Sequence, residues 1–330
     1  MTMPTGSHRP TFSTPRAVPG SRIAGTGHYR PDRILTNHDL EQMVETSDAW
    51  IRQRTGIESR RLAREDETVA EMATAAARAA LVDAEVDPAE ITQVIVATCS
   101  NEERSPSTAG RVAQALGLDG PASFDVGAAC SGFSHALAVA DQSIRAGAST
   151  TSLVIGAEKL SAFTDYTDRT TCILTADGAG AVVLRATDEP AVSPVMWGTV
   201  PDLADAVTIS PPQTCFSQEG RQVLGWALRE APGIARGIVE SAGLTMSDID
   251  VFIPHQANLR MIEPLAQALE LRPDAVVADD VITSGNTSAA TIPLAISRLR
   301  EAGRVPSGAI ALMIGFGGGF SWAGQVARLP

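Results

Sequence analysis

Lysine is almost missing from this chain of 330 residues: Lys159 is the only one, and arginine makes up the rest of the 26 basic side chains. Against 38 acidic residues the formal net charge is −12. A chain with that balance lacks the basic stripe that displaces counterions from phosphates, which excludes nucleic-acid binding as a primary role. No uninterrupted apolar run reaches the roughly 18 residues of a membrane span, and no apolar segment of signal-peptide type stands near the N-terminus. The four cysteines, Cys99, Cys130, Cys172 and Cys215, are far apart, with no CxxC pair and no neighbouring histidine. They indicate neither a zinc site nor a disulfide framework but reduced thiols in a cytoplasmic protein. No metal and no bound cofactor is expected. The phosphate-loop pattern GxxxxGK(S/T) and the zinc-protease pattern HExxH are absent. Gly25-Thr-Gly27 and the run from Gly315 lack the third glycine and following helix of a dinucleotide site. Gly127-Ala-Ala-Cys-Ser-Gly132 is one residue off the nucleophile elbow of the α/β-hydrolases.

The first 20 residues, with Pro4, Pro10, Pro15 and Pro19 among Ser, Thr and Arg, read as a disordered tail. Beyond them the chain has about twice the length of one domain, and its two halves repeat. In the first, the strand pattern Gln93-Val-Ile-Val-Ala-Thr98 leads to a helix ending Val112-Ala-Gln-Ala-Leu-Gly-Leu118. Then come Asp125-Val-Gly-Ala-Ala-Cys130, a helix ending near Arg145-Ala-Gly147 and a strand Leu153-Val-Ile-Gly156. The second half runs Asp250-Val-Phe-Ile-Pro-His255, Leu265-Ala-Gln-Ala-Leu-Glu-Leu271, Val281-Ile-Thr-Ser-Gly-Asn286, a helix ending Glu301-Ala-Gly303 and a strand Leu312-Met-Ile-Gly315. The offsets are 153 at the two Ala-Gln-Ala-Leu segments, 156 at the Ala-Gly pairs and 159 at the strand glycines. That drift suits loop insertions in a duplicated unit. Each half, 21–187 and 188–330, alternates strands with helices, so an α/β fold of two helix-covered sheets packed face to face is expected. Local signals place further helices from Glu67 to about Ala84, at Asp87-Pro88-Ala89-Glu90, and from Thr36-Asn37 towards Trp50.

Five histidines occur: His8, His28, His38, His135 and His255. Only His255 directly follows a buried apolar strand and opens a loop into a helix, the position where open α/β sheets place their chemistry. Cys130 holds the comparable place in the first half, at the start of a helix of small residues, where the partial positive charge of the helix N-terminus favours a thiolate. Its neighbours Gly127-Ala-Ala129 and Ser131-Gly132 leave room for an acyl group. An offset of 156 sets Asn286 opposite Cys130, so a pseudo-twofold would bring thiol, imidazole and carboxamide into one pocket. Such a trio suits covalent capture of an acyl thioester by Cys130. Hydrogen bonds from both His255 and Asn286 would serve an enolate formed by decarboxylation. An oxyanion hole would come from the backbone N–H groups of Cys130 and the Gly317-Gly-Gly319 turn, Gly318 among them.

The stretches DVGAACSGF around Cys130, PHQANLR around His255, SGNTSAA around Asn286, GFGGGFSWAG near the C-terminus and TSDAWIRQRTGI near the start together resemble β-ketoacyl-acyl carrier protein synthase III, of the thiolase superfamily, from about Arg22 to Pro330. The resemblance implies a duplicated, five-layered αβαβα thiolase-like fold, a homodimer, and a ping-pong reaction. In it acyl-CoA acylates Cys130 and malonyl-acyl carrier protein then condenses with decarboxylation, as in starter-unit priming of fatty acids or polyketides. It also implies that Trp50 and Arg169 sandwich the CoA adenine, Arg54 meets the phosphates, Asn258 lines the pantetheine tunnel, Phe320 lies near Cys130 in the acyl pocket and Arg260 helps dock the carrier protein. Some positions depart from the family. The usual FGDGAGA reads Thr175-Ala-Asp-Gly-Ala-Gly-Ala181, and Leu224-Gly225-Trp226 stands where Phe followed by a basic residue is common. After Arg260 come Glu263, Gln267 and Ala268 in place of basic residues, leaving a depleted patch for an acidic carrier. Ser105 replaces a large aromatic that closes the acyl pocket across the dimer, which points to a starter longer or more polar than acetyl. Two other readings are an acyltransferase that moves the Cys130-bound acyl group to a hydroxyl or amine of a small molecule, and a silent partner that only dimerises. The complete trio argues against the latter.

Overall fold

The structure, a computed structural model, describes residues 18–210 and 214–330. Positions 1–17 of the expected tail lie outside the described residues. Its last residues are docked: the Val18 N–H donates to the Arg145 carbonyl at 3.2 Å, and the first strand opens at Gly20, so the folded part begins ahead of the expected boundary.

Two five-stranded sheets carry the fold. The first contains β1 (Gly20–Tyr29), β2 (Gln93–Ala97), β3 (Ala122–Val126), β4 (Thr151–Lys159) and β5 (Asp177–Thr187), in the order β1-β5-β4-β2-β3. The second contains β6 (Met196–Thr199), β7 (Val251–Pro254), β8 (Val276–Val277), β9 (Ile310–Gly317) and β10 (Ser321–Arg328), in the order β6-β10-β9-β7-β8. The two orders are the same once the strands are matched by position, and in each sheet the central pairs are parallel while the later strands return antiparallel. The first sheet is drawn wholly from residues 20–187 and the second wholly from 196–328.

Helices α1 (Val69–Asp83) and α2 (Thr108–Leu116) cover the outer face of the first sheet, and α3 (Gly132–Arg145) lies between the sheets. Helices α4 (Gly220–Arg229), α5 (Ala231–Ser241) and α6 (Leu259–Leu269) cover the outer face of the second, and α7 (Thr291–Glu301) joins α3 in the middle. Five layers result, because every central strand buries both faces. Val94 and Val96 point to the outer core, Ile95 to the middle one; Val251 and Ile253 face the middle and Phe252 the outer core. This period of two inside an unbroken apolar run marks a strand covered on both sides.

The local expectations need three corrections. The segment from Thr36 towards Trp50 is two helices, Asn37–Glu41 and Asp48–Thr55, because Ser47 caps the second and forces extended backbone between them. Asp87 does form a capping box, yet only one 3-10 turn, Pro88–Glu90, follows before Ile91 returns to extended backbone. In the second half the counterpart of β3 is the two-residue β8, whereas Val281–Ser284 is a single helical turn.

Candidate active site

Cys130 sits in a tight 3-10 turn, Ala129–Ser131, that precedes α3. Ala129 at its head has φ 43°, a left-handed conformation that a residue with a Cβ adopts only when its surroundings hold it there. The thiol is 7% exposed. Burial is the main influence on it and pushes its pKa up to about 11, against the pull of the Ser288 hydroxyl and of the backbone N–H groups of Gly318 and Cys130. The thiolate expected from the helix N-terminus is therefore not the resting form: α3 begins only at Gly132, and desolvation outweighs the hydrogen bonds. The two N–H groups that reach the sulfur are the pair expected for an oxyanion hole. Gly317 makes this approach possible, since a Cβ there would lie 2.7 Å from Cys130 Cβ and 2.8 Å from its sulfur.

His255 follows β7 and is 3% exposed. Its backbone N–H donates to the Ile314 carbonyl at 2.8 Å, continuing the pairing of β7 with β9. Burial without a carboxylate partner lowers its pKa to about 3, so the ring is neutral. Nδ1 lies 2.9 Å from Thr291 Oγ1, and Nε2 has no hydrogen-bond partner among the described residues. The ring edge meets Phe316, with centroids 6.1 Å apart.

Asn286 is clasped by the Leu174-Thr-Ala176 segment: its N–H donates to the Leu174 carbonyl at 2.8 Å, and its carbonyl accepts from the Ala176 N–H at 3.0 Å. Beneath it the buried Arg60 donates to the Ile173 carbonyl at 2.6 Å and Asn37 Oδ1 at 2.8 Å. The side-chain Oδ1 accepts the Ser288 N–H at 2.9 Å, which aims the Nδ2 amine away from the turn as a free donor among the described residues. The turn 288–291 thus links all three groups: Ser288 contacts the thiol and orients Asn286, and Thr291 holds His255.

The register of the repeat differs from the expected one. Ser288 has φ 45° and opens a 3-10 turn leading into α7, as Ala129 does ahead of α3; 288 minus 129 is an offset of 159. A Cβ on Gly315 would meet the Cys130 carbonyl at 3.0 Å, and one on Gly156 would meet the Ala289 carbonyl at 2.3 Å. Ala289, not Asn286, is the counterpart of Cys130. The shift from 159 to 156 arises inside the helices, since α3 has 14 residues and α7 has 11. At the same offset Glu158 matches Gly317. Its carboxyl accepts from the Ala289 N–H at 3.4 Å, from the Cys99 N–H at 3.1 Å and from the Thr98 hydroxyl at 3.2 Å. Where the second half has a glycine beside Cys130, the first half thus has the Glu158 side chain, hydrogen-bonded at the turn that carries Ala289.

The remaining candidates divide. Trp50 comes together with Arg54 and Arg169, whose guanidinium carbons lie 5.5 and 5.4 Å from its ring centroid, within cation–π range. Arg169 also donates to the Glu45 carbonyl at 3.2 Å, which holds its guanidinium over the ring. Gly56, at φ 74°, ends the Trp50 helix, and a Cβ there would strike Leu259 Cδ1 at 2.4 Å. That contact brings Trp50 and Arg54 to the same end of the molecule as Asn258 and Arg260 at the start of α6. The exposed residues of α6 are Arg260, Glu263 and Gln267, one cation among them. Ser105 is exposed in the loop before α2. Phe320 is a correction: its backbone belongs to the turn over Cys130, but its ring is fully buried in the outer core, 4.8 Å from Trp226. The aromatic beside the site is Phe316, whose place two residues along β9 from Ile314, the partner of His255, was legible in the strand pattern.

Known proteins resemble this chain in sequence and in fold. Residues 124–201 and 239–329 fit the models of 3-oxoacyl-(acyl-carrier-protein) synthase III and of its C-terminal region. Beta-ketoacyl-(acyl-carrier-protein) synthase III 4 of Streptomyces coelicolor is 52% identical over 94% of this chain and 99% of its own. The synthase III of Streptomyces glaucescens is 41% identical over 96% and 98%. Among solved structures, the priming β-ketosynthase of the R1128 polyketide pathway superposes with a TM-score of 0.94 at 39% identity, covering 97% of this chain and 99% of that one. The synthase III of Aquifex aeolicus gives 0.89 at 41% identity, over 94% and 100%. The chain belongs to the β-ketoacyl-acyl carrier protein synthase III family, with the duplicated thiolase-type fold.

Proposed function

We propose that this protein is a priming ketosynthase that takes an acyl group from acyl-CoA onto Cys130 and condenses it with malonyl-acyl carrier protein. One observation carries the reading: a buried neutral thiol whose sulfur meets two backbone N–H groups is tied by the turn 288–291 to an imidazole with a free Nε2 and a carboxamide with a free Nδ2. Cys130 gives its proton to His255 and the sulfur attacks the acyl carbonyl carbon. The oxyanion rests on the N–H groups of Cys130 and Gly318. Collapse breaks the carbon–sulfur bond to CoA, and the CoA sulfur takes the proton. In the second half the bond between the malonyl α-carbon and its carboxylate breaks. The electron pair passes to an enolate whose oxygen accepts from Asn286, and carbon dioxide leaves. The α-carbon then attacks the Cys130 thioester, and the released sulfur is reprotonated, so each turnover consumes one proton.

Trp50, Arg54 and Arg169 would receive the CoA nucleotide and Asn258 its pantetheine arm. Arg260 is the cation that would meet the carrier protein. The homodimer is part of the proposal. Strand β3 ends its sheet with an open edge, and Phe124 on it is 36% exposed, a surface that pairing with a second copy would cover. Ser105, exposed in one chain, would then face the partner's acyl pocket and leave space for a starter larger than acetyl. A panel of acyl-CoAs tests this by the mass of the Cys130 adduct; strong preference for acetyl would refute it. The mixed charge of α6 favours one alternative, transfer of the acyl group to a small hydroxyl or amine. Asn286→Ala separates the two: condensation predicts normal acylation with decarboxylation lost, and transfer predicts that discharge of the acyl group is kept.

A further inference from the structure

Both pocket-facing polar groups were expected to donate hydrogen bonds, but the turn ahead of α7 orients them oppositely. The Thr291 hydroxyl lies 2.9 Å from the Ser288 carbonyl and 2.9 Å from His255 Nδ1. It has one hydrogen. If that hydrogen pointed at Nδ1, Oγ1 and the Ser288 oxygen would face each other at 2.9 Å with nothing between two acceptors. Donating to Ser288 instead leaves Oγ1 to accept from Nδ1–H, so that the Ser288 carbonyl, the Thr291 hydroxyl and Nδ1 are all satisfied. A neutral ring with its proton on Nδ1 carries a lone pair on Nε2.

We propose that Thr291 is a positioning residue that holds His255 as the Nδ1–H tautomer and so makes Nε2 the acceptor of the Cys130 proton. The inference rests on the proposed acylation of Cys130. The same turn gives Asn286 the complementary role, because the Ser288 N–H occupies Oδ1 and leaves Nδ2 to donate. In the resting enzyme the pocket therefore offers one base and one donor. The thiol, held in its protonated form by burial, requires such a base, and no carboxylate shares a hydrogen bond with the ring. His255 becomes a donor only while it holds a proton, whereas Asn286 serves the enolate oxygen throughout. Loss of the Thr291 hydroxyl should thus harm acylation more than decarboxylation.

The test uses the full chain labelled with nitrogen-15 in histidine, with His255 assigned by its loss in His255→Gln. Wild type is expected to show a protonated Nδ1 and an unprotonated Nε2. In Thr291→Val the Nε2–H form gains population, acylation by acyl-CoA slows by about tenfold as general-base catalysis weakens, and decarboxylation of a malonyl thioester by the acylated enzyme changes far less. Thr291→Ser restores both spectrum and rate. A protonated Nε2 in wild type overturns the proposal, as does a Thr291→Val protein with unchanged spectrum and acylation rate. The wild-type spectrum decides the tautomer even if Thr291→Val does not fold. A protein with the expected tautomer that never acquires an acyl group would instead refute the proposed function.

Discussion

Gly317→Ala adds one methyl group at the point of closest approach to the nucleophile. Gly317 has φ 162° and ψ −144°, extended backbone that alanine adopts without strain, so contact alone decides the outcome. The new Cβ would stand 2.7 Å from Cys130 Cβ, 2.8 Å from its sulfur and 3.7 Å from its nitrogen. Unbonded carbons settle at about 3.5–4.0 Å, so the Cys130 side chain or the turn must yield by roughly 1 Å. Overpacking of this kind costs about 1–3 kcal/mol of stability, and a displacement of about 1 Å at a reacting group costs on the order of 100-fold in rate. Intact-mass spectrometry of the protein with an acyl-CoA follows the Cys130 adduct over time, and thermal unfolding reports stability. Gly319→Ala is the control. Its Cβ would meet nothing nearer than Ser321 Oγ at 3.9 Å, yet φ 106° strains any residue but glycine, so stability falls by about 1–3 kcal/mol with a smaller loss of acylation. Gly317→Ala acylating at the wild-type rate would refute the placement of this turn against the thiol.

Three further outcomes are expected. His255 is held neutral down to about pH 3 in the folded protein, against an ordinary 6.5. Above pH 6.5 it is neutral folded or unfolded and adds no pH dependence; below, the unfolded chain takes a proton that the folded one refuses. Stability therefore drops by about 1.4 kcal/mol per pH unit on this account. Denaturant titrations should show His255→Gln gaining on wild type by roughly 2–3 kcal/mol between pH 6.5 and 4.5, and a constant difference would contradict the burial. Trp50→Ala should raise the KM for acyl-CoA while leaving kcat near wild type, since it removes a binding surface away from the thiol; an unchanged KM would remove Trp50 from the nucleotide site. Phe124→Glu should yield monomers by analytical ultracentrifugation where wild type gives dimers, and an intact dimer would move the interface elsewhere.

Much of the fold was legible because buried parallel strands write themselves as apolar runs and helices between them as alanine-rich segments. The duplication was visible through β2 and β7, β4 and β9, and the glycines closing α3 and α7. Its register at the site was not. The three-residue difference between α3 and α7 lies inside the helices, and only the paired left-handed residues Ala129 and Ser288 reveal which positions correspond. The protonation of Cys130 was not legible for a related reason: local sequence announces a helix start but not the depth at which the thiol is buried. Phe316 and Phe320 illustrate the limit of motif reading. Both lie in the same glycine-rich stretch and both meet Trp226, and only the strand register decides that Phe316 also meets His255. The placing of Glu158 at the related site had no signal in the sequence, since it joins residues from β4, the loop after β2 and the turn ahead of α7.

The central claim is that Cys130 carries an acyl group to a decarboxylating malonyl partner. The most direct measurement acylates the protein with an acyl-CoA, confirms the Cys130 adduct by mass, and then adds malonyl-acyl carrier protein with its carboxylate labelled. Release of labelled carbon dioxide in step with loss of the adduct and appearance of a β-ketoacyl carrier is the predicted result. An adduct that persists without carbon dioxide and is discharged only by an alcohol or amine would contradict it.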